Sequence, residues 1–196
     1  MTAQDLKKSI LQLAMQGKLV RQDPNEEPAS ELLKRIKAEK ARLIKEGLIR
    51  REKPLLPISE DEIPFDIPES WVWVRIGSAF SAIMGQSPEG SSVAEIEEGI
   101  EFHQGKIFFT DEIIAPSPQR TSKPTKIAPS GSILLCVRAP VGKVNITNRT
   151  ICIGRGLAAI LTNGGISKKF TYYMLQTLET VFNQKATGST FKAISS

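Results

Sequence analysis

Several stretches hold residue types at spacings that invite catalytic chemistry, and the richest is SILLCVRAPVGKVNITNRTICIGRGLAAI, Ser132–Ile160. It contains Gly142-Lys143, the pair that closes a phosphate-binding loop. Such a loop also needs an earlier glycine and a following hydroxyl, so that backbone amides cradle phosphate and the hydroxyl holds magnesium. Val137 and Val144 occupy those two positions, and the pattern fails. Gly154-Arg155-Gly156 with Ala159 fits the loose dinucleotide pattern, which must open a crossover helix. Asn163-Gly164-Gly165 leaves no room for one, and Leu157–Leu161 reads better as another strand. Gly85-Gln86-Ser87-Pro88-Glu89-Gly90 resembles a nucleophile elbow whose second glycine comes one position late. His103 is the single histidine and the cysteines are isolated, so no zinc set forms. A metal-dependent nuclease needs clustered carboxylates, and from Phe102 onward only Asp111, Glu112 and Glu179 are present.

What remains is binding chemistry. Gln86, Ser87, His103, Gln104, Lys106, Arg120, Lys123, Lys126, Arg138, Lys143 and Arg155 fall mostly in predicted loops or at strand ends. Amide and guanidinium groups hydrogen-bond base edges, and lysines suit phosphates. Thr190 and Lys192, in TGSTFK beside Gly188, add a hydroxyl and a cation for a phosphate. Two plainer roles remain open: His103 as a satisfied loop residue, and Arg138 paired with Asp111 or Glu112.

Charge points the same way. The 196 residues carry a net +5, but residues 1–53 hold +5, residues 54–101 hold −9 and residues 102–196 hold +9. A globular segment that basic repels itself unless a polyanion is the partner, which favours nucleic acid. No apolar run approaches the ~20 residues of a membrane span. The opening MTAQDLKKSI puts charge where a signal peptide needs apolar residues, so a cytoplasmic protein without a membrane partner is expected. Cys136 and Cys152 are expected as buried free thiols.

Two helices are predicted within residues 1–53. Thr2-x-x-Asp5 fits a capping box, and Leu6, Ile10 and Leu13 follow at helical spacing to Gly17. Pro28 suits a first helical turn, and Leu32, Leu33, Ile36, Leu43 and Ile44 form a second apolar stripe. These stripes are expected to pack on each other and on a further surface, in this chain or a partner. Residues 54–70 form a proline-rich linker. From Trp71 a period of two predicts a strand to Ile76, followed by strands at Lys106–Phe109, Ile133–Val137, Lys143–Ile146, Thr150–Ile153 and Leu157–Leu161. A helix is predicted from Lys168 to about Lys185, with Phe170, Tyr173, Met174, Leu178 and Val181 along one side.

The ordered set LKKSILQLAMQGKLVRQDPNEEPASELLKRIKAEKARLIKEG, IPFDIPESWVWVRIGSAF, GQSP, SKPTKIAPSGSILLCVRAPVGKV, ICIGRGLAAI and TGSTFKAIS resembles the specificity subunit of type I restriction–modification systems. The resemblance implies an α+β architecture: an N-terminal helical hairpin (1–53) for spacing and docking, a linker (54–70), and a target recognition domain (71–196). That domain has a curled, mainly antiparallel sheet with flanking helices. It further implies a non-catalytic subunit that reads part of a double-stranded DNA target. Modification subunits using S-adenosylmethionine and a restriction subunit using ATP and Mg2+ would supply catalysis. The chain itself is expected to bind no cofactor, and it has no Asn-Pro-Pro-Tyr/Phe motif. Relative to the family the recognition domain is incomplete at its C-terminal end, which leaves open a half-subunit that pairs with a second one, a truncated product or a fragment. A protein-interaction module with a non-specific nucleic-acid-binding domain is the alternative.

Overall fold

The computed structural model describes residues 2–47, 55–162 and 164–186, which form two compact units. The first unit comprises Met1–Ser81 with Thr162–Ser167. Helix α1 (Ala3–Met15) opens on the predicted box: the Thr2 hydroxyl accepts from the Asp5 amide, and the Asp5 carboxylate accepts from the Thr2 amide. It ends before Gly17, whose φ of +68° is the left-handed conformation that favours glycine. Helix α2 (Ala29–Lys45) follows Pro28, and its first amide donates to the Ser70 carbonyl. Helix α3 (Ile76–Ala79) is a single turn, and the Lys40 ammonium donates to the Gly77 and Phe80 carbonyls at 2.5 and 2.6 Å.

Two sequence expectations change in this unit, at Trp71–Ile76 and at Ile36. Trp71–Ile76 forms no strand. Its alternation reflects other packing: Trp73 meets Phe65 edge-on at 5.0 Å, and the Trp71 indole donates to Gln22. The linker is also tied down, because Arg75 forks onto the Glu62 carboxylate at 2.6 and 2.7 Å and donates to the Leu56 and Pro57 carbonyls. A short 3-10 turn, Glu60–Glu62, presents that carboxylate. Ile36, placed in the docking stripe, is instead buried beside Gly164, where even a methyl group would meet it at 2.6 Å.

The second unit comprises Ala82–Leu161 with Lys168–Ser196. The strands are β1 (Phe80–Met84), β2 (Val93–Ala94), β3 (Ile100–His103), β4 (Arg120–Thr121), β5 (Ile127–Ala128), β6 (Ile133–Cys136), β7 (Val144–Ile146), β8 (Ile151–Ile153) and β9 (Leu157–Thr162). They build a four-stranded sheet ordered β1-β9-β6-β7 and a five-stranded sheet ordered β2-β4-β3-β8-β5. The β6–β7, β6–β9, β2–β4, β3–β4 and β5–β8 pairs are antiparallel, and β3 with β8 is parallel. Strands β6, β8 and β9 supply the apolar centre: Leu134, Ile151, Ile153, Leu157 and Ala159 pack with Ile114 and Ala128. Both cysteines are buried free thiols, as expected.

The segment read as a strand at Lys106–Phe109 is a 3-10 turn, Lys106–Phe108, closed by the Phe109 amide on the Lys106 carbonyl. The C-terminal helix is two, α4 (Lys168–Thr177) and α5 (Glu179–Lys185), parted at Leu178. Its inward face differs from the predicted one. Thr171, Tyr172 and Leu175 are buried, while Phe170 and Tyr173 are exposed. The Tyr172 hydroxyl fixes that rotation by donating to the Asp111 carbonyl at 2.6 Å. Among the described residues no helix is long and apolar enough to cross a membrane.

Candidate nucleic-acid interface

Because β3 and β8 run parallel, both end at one edge, with Phe102 opposite Cys152 and His103 opposite Ile153. Other strand termini reach the same place through backbone hydrogen bonds. The Gly85 amide, just past β1, donates to Leu157 at the start of β9, and the Gln86 amide donates to Ile153. The Val137 amide, just past β6, donates to the Gly156 carbonyl, and the Ile153 amide donates to Lys126 before β5. The Gly154 and Gly156 amides donate to the His103 and Gln104 carbonyls. Such convergence is possible only where backbones approach closely. A Cβ at Gly85 would lie 2.1 Å from the Gly154 carbonyl oxygen, and one at Gly156 would lie 2.5 Å from the Gln104 carbonyl oxygen.

The junction gathers many of the residues selected from the sequence. Gln86, Gln104, Lys106, Lys126, Arg138 and Arg155 all have exposed side chains on its loops, and Ser87 is half-buried among them. The Ser87 hydroxyl donates to the Gln104 amide oxygen at 2.7 Å and accepts from the Arg155 amide at 3.4 Å. The Thr125 hydroxyl, not singled out from the sequence, donates to the Gln86 carbonyl and ties down the loop that carries Lys126. Arg138 forms no salt bridge with Asp111 or Glu112, and its backbone carbonyl accepts from the Cys136 thiol. Lys126, Arg138 and Arg155 therefore stand on loops that carry no carboxylate of their own, while the connection that holds Lys106 also carries Asp111 and Glu112; the three cations suit phosphate contacts around amide groups.

Other selected residues stand differently. Lys143 pairs with Glu179 at 2.9 Å, and Lys123 lies 3.9 Å from Glu89. The Arg120 guanidinium donates to the Gly99 carbonyl. Thr190 and Lys192 lie outside the described residues.

His103 is a correction: it is 1% exposed and faces inward, unable to touch DNA. Its Nε2 meets the Glu101 carboxylate at 2.6 Å, its ring stands edge-on to Phe108, and among the described residues its Nδ1 has no partner. Nε2 therefore carries the proton of a neutral ring, since an unpartnered buried N–H would cost more than an unpartnered lone pair. Burial lowers the imidazole pKa below its ordinary value, and Glu101 only partly offsets this. Burial would raise the Glu101 carboxyl, but the Arg149 guanidinium, the Ser117 amide and His103 outweigh it and hold the group at about 2. Nothing near His103 in sequence signals this burial, because Arg149 lies 48 residues beyond Glu101.

In the first unit the apolar stripe of α1 is uncovered: Leu6, Ile10 and Leu13 are 50%, 42% and 43% exposed, and α1 buries no residue. Leu32, Leu33, Leu43 and Ile44 on α2 are half-buried.

No protein-family model matches the chain. It is 62% identical over 80 residues to the EcoAI type I restriction enzyme specificity subunit of Escherichia coli, covering 41% of this chain and 14% of that protein. It is 54% identical over 96 residues to the EcoEI specificity subunit of Escherichia coli, covering 48% and 16%. It is 43% identical over 133 residues to a putative MjaX type I specificity subunit of Methanocaldococcus jannaschii, covering 66% and 31%. The chain thus spans less than a third of these curated relatives. Among solved structures, a chain from a study of complex assembly in the type I R-M system is 34% identical with a TM-score of 0.62, covering 85% of this chain and 40% of that one. The HsdS subunit from Thermoanaerobacter tengcongensis is 28% identical with a TM-score of 0.59, covering 96% and 44%.

Proposed function

We propose, from the premise that this chain belongs to the type I restriction–modification specificity-subunit family, that it reads part of a double-stranded DNA target and carries no catalysis of its own. One observation supports this reading most: strand ends from both sheets bring Lys106, Lys126, Arg138 and Arg155 around Gln86, Ser87 and Gln104. Cations at the rim fix register on the phosphates, and amides within it discriminate base edges. Modification subunits would bring S-adenosylmethionine, and a restriction subunit would bring ATP and Mg2+. The uncovered α1 stripe offers a docking surface for the modification subunit, and a second recognition half would complete a two-part target. The complex would work in the cytoplasm, on the cell's own DNA.

Competition binding tests the recognition step. A labelled duplex enriched from a random pool is challenged with excess random duplex. Retention of the enriched duplex supports the proposal, and equal displacement by every sequence refutes it in favour of non-specific binding.

A further inference from the structure

Gly154-Arg155-Gly156 is neither a nucleotide fingerprint nor only a turn, because its two glycines surround Gln104. A Cβ at Gly154 would stand 2.4 Å from the Gln104 amide oxygen and 2.9 Å from its Cα, and one at Gly156 would meet the Gln104 carbonyl. Only glycines at both positions leave room for that residue where it sits. The seat is closed by Ser87, whose hydroxyl hydrogen goes to Oε1 of Gln104 and whose oxygen takes the Arg155 amide hydrogen.

This arrangement gives the exposed carboxamide a direction. Its oxygen is turned inward against Gly154 and Ser87, and among the described residues nothing accepts from its Nε2. A glutamine reads adenine by donating to N7 while accepting from N6, which requires a free carbonyl oxygen. With one lone pair of Oε1 taken by Ser87 and the oxygen packed against Gly154, the side chain presents its Nε2 donors outward. Guanine presents two neighbouring acceptors, N7 and O6, in the major groove and no donor beside them.

We propose, resting on the DNA-recognition reading above, that Gln104 is a specificity-determining residue that selects guanine at one position of the target. Ser87 is its positioning residue, and the Gly154–Gly156 turn is its seat. Lys106, two residues on, and Arg155, within the seat, flank the amide with cations suited to the adjoining phosphates.

The test is selection of the full chain against a randomised duplex library, followed by sequencing, for the wild type and for Gln104→Ala, Ser87→Ala and Ser87→Thr. The wild type is expected to select a motif containing guanine. Gln104→Ala should lose about tenfold preference at that one position, a typical loss for one good side-chain–base contact, and keep the rest of the motif. Ser87→Ala should weaken the same position alone, and Ser87→Thr, which keeps the hydroxyl, should restore it. An unchanged motif for Gln104→Ala, or a loss spread over all positions, overturns this assignment while leaving DNA recognition intact. A wild type that selects no motif overturns the recognition reading and this assignment together. Gln104 is exposed, so its truncation leaves folding unchanged and the comparison valid even if Ser87→Ala destabilises the chain.

Discussion

The Arg149 guanidinium holds both carboxylate oxygens of Glu101, Nε to Oε2 at 2.7 Å and Nη2 to Oε1 at 2.6 Å, across 48 residues of chain. The same arginine donates to the Ile114 carbonyl, joining the segment after β7 to β3 and to the core residue Ile114. Glu101 is nearly buried while Arg149 keeps 30% side-chain exposure, so removing the arginine strands the less solvated partner. Arg149→Ala is predicted to destabilise the chain by about 3 kcal/mol, the lower end for breaking a buried pair. Arg149→Lys should recover only part of that, since an ammonium cannot engage both oxygens in parallel. Urea unfolding of the three proteins measures both effects; equal midpoints would remove this pair from the stability of the fold.

Acid should weaken the protein in two stages. His103 has a folded pKa below its unfolded value, so as pH falls through about 6.5 the unfolded chain gains a proton that the folded chain resists, and stability drops. Glu101 is likewise depressed, to about 2 from an ordinary 4.5, so its contribution is complete above pH 4.5 and is lost toward pH 2. Denaturant melts between pH 8 and pH 3 should show both declines. His103→Phe should abolish the earlier one; persistence of that decline would assign it elsewhere.

Single cations at the strand-end junction should contribute to DNA affinity without setting sequence. Arg138→Ala and Lys126→Ala are each expected to weaken enriched and random duplexes alike. Each should also reduce the slope of log affinity against log salt by about one. Titrations at several salt concentrations check this. Full affinity and an unchanged slope in both variants would place the DNA on another surface.

Leu6, Ile10 and Leu13 should matter to assembly and not to folding. All are at least 42% exposed, so Leu6→Asp with Ile10→Asp is predicted to leave the thermal midpoint within about 4 °C, as two surface changes of ~0.5 kcal/mol each would. The same double variant should lose co-purification with a modification subunit, because burying two carboxylates in an apolar interface is costly. Undiminished co-purification would free α1 from the docking role.

How far the sequence reveals these features depends on whether the signal is local. Thr2 and Asp5 announce α1 because a capping box spans only one turn, and β6, β8 and β9 announce themselves as apolar runs. Strands β2, β4 and β5 have two residues each, too short for any period to register. Trp71–Ile76 alternates like a strand, yet its side chains answer to Phe65, Gln22 and Glu62. The same contrast divides the site. Gln104, Lys106, Arg138 and Arg155 are legible as polar residues at predicted strand ends. The burial of His103 is not, because it follows from an ion pair closed across distant segments. The glycines at 154 and 156 are visible as a motif, but their purpose depends on Gln104, some 50 residues earlier.

Direction of a complex to chosen DNA sequences is the role proposed for this chain. Its most direct measurement is co-expression with a modification subunit, followed by sequencing of methylated positions across the host DNA. Methylation is expected to be confined to sites that share one short sequence element, with that element altered by Gln104→Ala. Methylation scattered without a shared element, in a complex that assembles, would contradict it.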